Sequence, residues 1–237
     1  MKLRSSIWAT ILLLGIYFFS GGSADSVASG GLADLTPSRT KTDSIKGKVI
    51  VVDPGHGGYN AGAVGASGKT WEKTNVLFIA KDLKTMLEAA GATVIMTRET
   101  DISPESKTRN QLETRVHIAN QANADLFVSI HNDANRDRNI VGTTTYYYGS
   151  AKGRQLAESV QNSLVAALGS HDHGVKSSPY YVLRNTRMPA ILVEVGFISN
   201  YWEEKRLADP AYRYKASQGI FEGIKRYFSN SSFETAR

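Results

Sequence analysis

The chain has 237 residues, 41% of them hydrophobic and 21% charged, with 21 glycines and 6 prolines, the make-up of one ordinary globular domain with short extras. That composition excludes a disordered or collagen-like chain, and the absence of cysteine excludes disulfide scaffolds, thiolate metal sites and cysteine nucleophiles together. With 28 Lys and Arg against 22 Asp and Glu the net charge is +6, without any basic block, which favours an acidic partner and does not call for nucleic acid.

In chain order, Lys2 and Arg4 precede the apolar run Ile7–Phe19, and Gly22-Ser23-Ala24 supplies the small residues a signal peptidase needs, so residues 1–24 read as an export signal. The run is shorter than the ~20 residues of a comfortable membrane span, which favours cleavage over a retained anchor. Without Lys2 and Arg4 the count is 26 basic against 22 acidic, a charge of +4. Residues 25–45 are Ser/Gly/Ala/Thr-rich and read as a flexible linker. The folded domain is expected over 46–230, with 231–237 as a tail.

Within the domain, Val49–Val52 is a β-branched run typical of a buried strand. Val76, Ile79, Ala80, Leu83, Leu87 and Ala90 recur at helical steps, with Gly91 where a helix ends. Val94–Thr97 reads as a strand, 109–122 as a helix, Leu126–Ile130 and Thr143–Tyr148 as strands, and Arg154–Leu168 as a helix. The loop Gly169–Pro179 leads to Tyr180–Leu183 and then to the run Ile191–Val193. Ile220, Phe221, Ile224 and Phe228 close the domain with a helix from about Tyr212. Strands alternating with helices predict a single α/β domain, a mostly parallel sheet with helices on both faces.

Three apolar runs end in a group that binds metal or moves protons: Val49–Val52 leads to His56, Leu126–Ile130 to His131, and Ile191–Val193 to Glu194. If these strands are parallel neighbours, their carboxyl ends share the edge where open α/β sheets bind ligands, and the three residues converge. Glu72, on the way into the first long helix, reads by position equally well as a further group over that edge or as a solvated acid favoured by the helix dipole. Glu194 follows a buried run directly, where a charge without a function is costly. Two imidazoles with one carboxylate leave a coordination position open for water, the pattern of catalytic zinc, and a second carboxylate would take the water's proton.

The remaining histidines read as bland: His117 as a helical residue, His171 and His173 as solvated loop residues around Asp172, although a His-Asp-His trio is capable of binding metal. Ala63–Thr70 fits a relaxed phosphate-loop pattern ending in Gly68-Lys69-Thr70, but it begins ten residues after the preceding strand run, so no nucleotide site is expected.

Taken together, Val51-Val-Asp-Pro-Gly-His-Gly-Gly58, Glu72-Lys-Thr-Asn75, Thr97-Arg-Glu-Thr-Asp101, Arg115 with Ala119-Asn120, Ala124-Asp-Leu-Phe-Val-Ser-Ile-His131, Val182-Leu-Arg184 and Pro189–Asn200 resemble the zinc-dependent N-acetylmuramoyl-L-alanine amidases of bacterial cell walls, of the amidase_3 type. The resemblance implies a sheet of about six strands, zinc held by His56, Glu72 and His131, and Glu194 as the catalytic carboxylate. It implies peptidoglycan as the substrate and an exported or wall-associated protein, with growth, division and spore-cortex maturation all open as the setting. Thr97, Arg98, Asp101, Arg115 and Asn120 are taken as structural. Some relatives carry an inserted helix that blocks the zinc site until an activator arrives. Here only the stretch 132–142 precedes the next strand, so open access is expected and any activator is unknown. A non-catalytic wall-binding protein and a zinc peptidase are the rival readings, and substrate-binding residues are unassigned.

Overall fold

The structure, a computed structural model, describes residues 44–104 and 110–234, the side chains of the last four excepted. The expected signal and nearly all of the linker lie outside those residues. Ile45, just ahead of the expected domain start, is fully buried.

The elements are β1 (Val49–Pro54), α1 (Glu72–Ala89), β2 (Thr93–Met96), α2 (Gln111–Gln121), β3 (Leu126–Asp133), β4 (Thr143–Tyr147), α3 (Ala151–Leu168), β5 (Asp172–Ser177), α4 (Tyr181–Asn185), β6 (Ala190–Phe197), α5 (Tyr201–Ala208) and α6 (Pro210–Glu234). The six strands form one mixed sheet in the order β2-β1-β3-β6-β4-β5. The pairs β2–β1, β1–β3, β3–β6 and β4–β5 are parallel, and only β4 against β6 is antiparallel.

Residue alternation along the strands sorts the helices onto two faces. Ile50, Val52, Leu126, Val128, Ile130, Ile191 and Val193 pack with the stripes of α1, α3 and α6. Val51, Phe127 and Leu192 point the other way and meet Val116 and Ala119 of α2 and Val182 and Leu183 of α4. Each fully buried Leu or Ile contributes roughly 1.5–3 kcal/mol, so both faces matter to stability. From β1 the chain passes through α1 to β2 on one side, then through α2 to β3 on the other. A reversal of this kind opens a crevice beyond the carboxyl ends of β1 and β3.

One expectation is corrected, and one stretch left without an element gains one. The stretch 169–179, read as a loop, contains β5, which Asp-His-Gly-Val-Lys-Ser forms by pairing with β4 across a register shift, without an alternating pattern of its own. Tyr180–Leu183 is the entry to helix α4, its Val182 and Leu183 buried against the α2 face. Helix α5 was not anticipated either, because it turns Glu203 and Glu204 inward along with Leu207.

Candidate active site

The site is built where β1 leaves the sheet. His56 has φ 58°, a left-handed conformation that a non-glycine residue adopts only when held. Two buried arginines hold it. Arg115 donates to the carbonyls of Pro54 (2.8 Å) and His56 (2.5 Å), and Arg98 to those of Pro54 (3.0 Å), Gly55 (2.8 Å) and Lys73 (2.8 Å). Asp53 ion-pairs with Arg115 and accepts from Thr97 and Ser129 at 2.6 Å each. Burial alone would raise Asp53, but Arg115 and these two hydroxyls bring it below its ordinary value. The loop is tied further by Asp101, which accepts from Gly58 N and Lys73 Nζ at 2.9 and 2.7 Å.

Glu72 is the first residue of α1, a helix whose N-cap, Trp71, offers no side-chain bond. Its first amides donate to the loop instead, Glu72 N to Ala63 O (3.0 Å) and Lys73 N to Ala61 O (3.1 Å), which fixes the carboxylate over the crevice. One ligand atom from each of His56, Glu72 and His131 lies within 4.8 Å of the others. Glu72 Oε1 is 3.1 Å from His56 Nε2 and 2.9 Å from His131 Nδ1, and it also accepts from Asn132 N at 3.0 Å. Glu72 Oε2 accepts from Ala63 N at 2.8 Å. Burial would raise Glu72, but bonds from both imidazoles and their charges drive it far below the usual carboxylate range.

Glycines admit this crowding. A Cβ on Gly55 would collide with the His131 ring, and one on Gly62 would lie 2.5 Å from Glu72 Oε2 and 2.7 Å from His56 Cδ2. On the far side of His56, Nδ1 lies 3.0 Å from Asn60 Oδ1. That oxygen also accepts from Gly62 N, while Asn60 Nδ2 donates to Gln111 Oε1 at 3.2 Å. Asn60 thus presents its carbonyl to Nδ1 and would hold a proton there, so that Nε2, bonded to Glu72 in this structure, is the nitrogen free to become a ligand when a metal takes the place of that contact. The donor set, with its backbone cradle, fits one divalent ion.

Glu194 stands in register with His131 on the adjacent strand. Its Oε2 is buried and has no hydrogen-bond partner. Burial, reinforced by the charges of Glu72 and Asp133, pushes its carboxyl well above the ordinary value. His56, His131 and Glu194 border a cavity of about 220 Å³, with Leu112, Tyr180, Val182 and Leu192 among its apolar walls. A wider groove of about 480 Å³ between α3 and α6 lies on the opposite face and includes none of these residues.

The three residues singled out by the strand-end pattern are therefore brought together, with Glu72 among them. His131 and Glu194 lie inside β3 and β6 rather than beyond them. Thr97 and Arg98 follow β2 directly, so the same rule applied to that strand would have placed them at this edge, where they brace the loop. Asn60, Gln111, Tyr146 and Tyr180 were missed, since nothing in their spacing marks them. His117 is on α2, His171 immediately precedes β5 and His173 lies within it, its Nε2 2.9 Å from Val141 O. In the phosphate-loop look-alike, Ser67 donates through N (2.8 Å) and Oγ (2.5 Å) to Glu204, so an internal carboxylate fills the place an anion would take.

A mixed sheet with two imidazoles and a carboxylate gathered at its crevice, beside a second carboxylate without a partner, defines a candidate hydrolytic metal centre. The chain belongs to the N-acetylmuramoyl-L-alanine amidase family amidase_3, whose model matches residues 50–226. It is 40% identical over 187 residues to the N-acetylmuramoyl-L-alanine amidase LytC of Bacillus subtilis, covering 78% of this chain and 36% of that protein. It is 37% identical over 195 residues to the germination-specific N-acetylmuramoyl-L-alanine amidase of the same organism, covering 78% of this chain and 81% of the relative. The CwlD amidase of Clostridioides difficile, solved in complex with the GerS lipoprotein, superposes with a TM-score of 0.74 at 32% identity, over 77% of this chain and 99% of that one. The chain thus spans about a third of LytC and most of the other two.

Proposed function

We propose that this chain is a zinc-dependent N-acetylmuramoyl-L-alanine amidase that hydrolyses the amide between the lactyl group of N-acetylmuramic acid and L-alanine in peptidoglycan. The observation that carries the reading is the contrast at the crevice: Glu72 is bonded to both imidazoles, whereas Glu194, in register with His131, is free to exchange a proton. His56, Glu72 and His131 would hold the metal. Zinc in such a site supplies Lewis acidity and brings the pKa of a water to about 7.

Glu194 receives the water's proton and delivers it to the leaving amine of L-alanine, a transfer suited to a carboxyl that burial pushes well above its ordinary value. Arg98 and Arg115 keep His56 in its held conformation, and the apolar wall of Leu112, Val182 and Leu192 limits the water around the reacting amide. The cell-wall amidases among the relatives support export and action at the wall, and the match in span to the germination-specific relative supports use in spore cortex. Residues 134–142, between β3 and β4, hold no helix, which supports access without an activator.

The test is digestion of purified peptidoglycan by the zinc-loaded chain with no other protein, the products read by mass spectrometry. Free stem peptides beginning with intact L-alanine, together with peptide-free glycan, are expected. Shortened peptides still attached to muramic acid would make the protein a peptidase, and no cleavage despite bound zinc would overturn unaided access.

A further inference from the structure

The sheet face that carries Glu194 is roofed by α2 and α4, but only in part. The stripes of those helices meet β1, β3 and β6. Helix α3 covers β4 and β5 from the opposite face, where Val175 packs. On the Glu194 face, the register runs from Leu192 to Tyr146 on β4 and from Tyr146 to Lys176 on β5. These three side chains share one side of the sheet. Tyr180, arriving from the end of β5, sets its ring edge-on to Tyr146 at 5.1 Å between centroids. Both phenols lie in the field of Glu194 and of Asp133. Lys176 is exposed and forms no ion pair among the described residues, although it too lies in the field of Asp133.

We infer that Lys176, flanked by the phenols of Tyr146 and Tyr180, is a subsite for a carboxylate of the stem peptide, placed on the leaving-amine side of the scissile bond. This rests on the amidase reading above and assigns an orientation to it: the peptide runs over β4 and β5, and the glycan lies toward His56 and Leu112. The dimensions agree. Lys176 stands two strands across and two residues along from Glu194, about 12 Å between Cα atoms at ordinary sheet spacings. An extended peptide covers that distance in about three or four residues at ~3.4 Å each, and the lysine side chain shortens it. A carboxylate on the second or third stem residue therefore meets the ammonium. Tyr146 is pushed up to about 12 by burial, by Tyr180 and by its anionic neighbours, so its phenol stays protonated and, bonded to the Tyr180 hydroxyl, sets the pair as a fixed polar wall beside the path to Lys176. Of the two carboxylates that act on the phenols, Asp133 is the one that also acts on Lys176, and the subsite requires the lysine to outweigh it.

The measurement is kcat/KM of the zinc-loaded full chain on two N-acetylmuramoyl-tripeptides that differ only in having free carboxylates or carboxamides beyond L-alanine. The acid should be preferred about tenfold, the size of one charge-assisted hydrogen bond. Lys176→Met should bring the acid-to-amide ratio close to one, and Lys176→Arg should restore most of it, with the change in KM rather than kcat. Equal slowing of both substrates in Lys176→Met would show that the lysine only offsets Asp133 and would overturn the subsite. An unchanged ratio would overturn it as well. A metal-independent readout is calorimetric binding of the free acidic tripeptide to the metal-free chain, expected to weaken in Lys176→Met. If the wild type cuts within the peptide and not at the muramoyl amide while binding the acidic tripeptide through Lys176, the amidase reading fails and the subsite stands.

Discussion

Two carboxylates meet at the crevice, and the chain treats them in opposite ways. Glu72 arrives at the start of α1 and is surrounded by donors: two imidazoles and the amides of Ala63 and Asn132. Glu194 arrives on β6 and its inner oxygen meets none. Burial acts on both, yet Glu72 is driven below the ordinary range and Glu194 above it. Environment rather than residue type thus divides the roles: the saturated carboxylate is suited to stay charged and hold a cation, the orphaned one to carry a proton.

The largest expected effects come from exchanging the two environments' occupants. Glu72→Gln should lose bound zinc, and turnover with it, by elemental analysis and digestion assay. Glu194→Gln should keep full zinc stoichiometry while turnover falls by roughly 10²–10⁴, the span of a general acid-base group. Zinc loss in Glu194→Gln would erase the distinction between the two.

Next in size is the brace behind His56. Arg115→Ala leaves Asp53 buried without its ion partner and should cost about 3–5 kcal/mol in urea unfolding. The pH dependence follows from Asp53. Its folded pKa lies below the ordinary 3.8, so the stability it contributes is present above 3.8 and is lost as pH falls through the folded value. Asp53→Asn should therefore be clearly less stable than wild type at pH 7, with the gap narrowing as pH falls below 3.8. A constant gap would separate the brace from the Asp53 charge.

The same contrast marks what the sequence discloses. β1, β3 and β6 were legible because buried β-branched runs lead straight to His56, His131 and Glu194, and α1 because Val76 to Leu87 keeps a helical step. The roles of Glu72 and Glu194 were not separable from spacing, since the donors that saturate Glu72 include backbone amides brought in by the loop. β5 escaped because an edge strand of Asp-His-Gly-Val-Lys-Ser is defined by its partner. α5 escaped because Glu203 points inward to accept from Phe197 N and Gly142 N, against the rule that acids face water.

A smaller effect tests how rigidly the saturated half is set. Asn60 fixes the His56 tautomer, and Asn60→Ala should weaken zinc binding about 10–100-fold in a chelator competition, with secondary structure intact by circular dichroism. Asn60→Asp, which keeps the acceptor, should recover most of the affinity. If the alanine variant binds as tightly as wild type, Arg98 and Arg115 alone suffice to orient the ring.

The smallest effect concerns stability at the orphaned half. A carboxyl whose folded pKa is raised favours the fold while protonated, and that contribution is lost as pH rises through the folded value. In the metal-free chain, glutamine at this position carries no such charge to bury. Glu194→Gln should therefore match wild type near pH 4, below the ordinary value of 4.5. It should exceed wild type by about 1 kcal/mol at pH 8, the usual gain when a functional group is traded for stability. Urea titrations at both pH values measure the difference. An advantage that does not grow with pH would mean that Glu194 finds a proton-independent partner when zinc is absent, and the opposition between the two carboxylates would then belong to the zinc-loaded state alone.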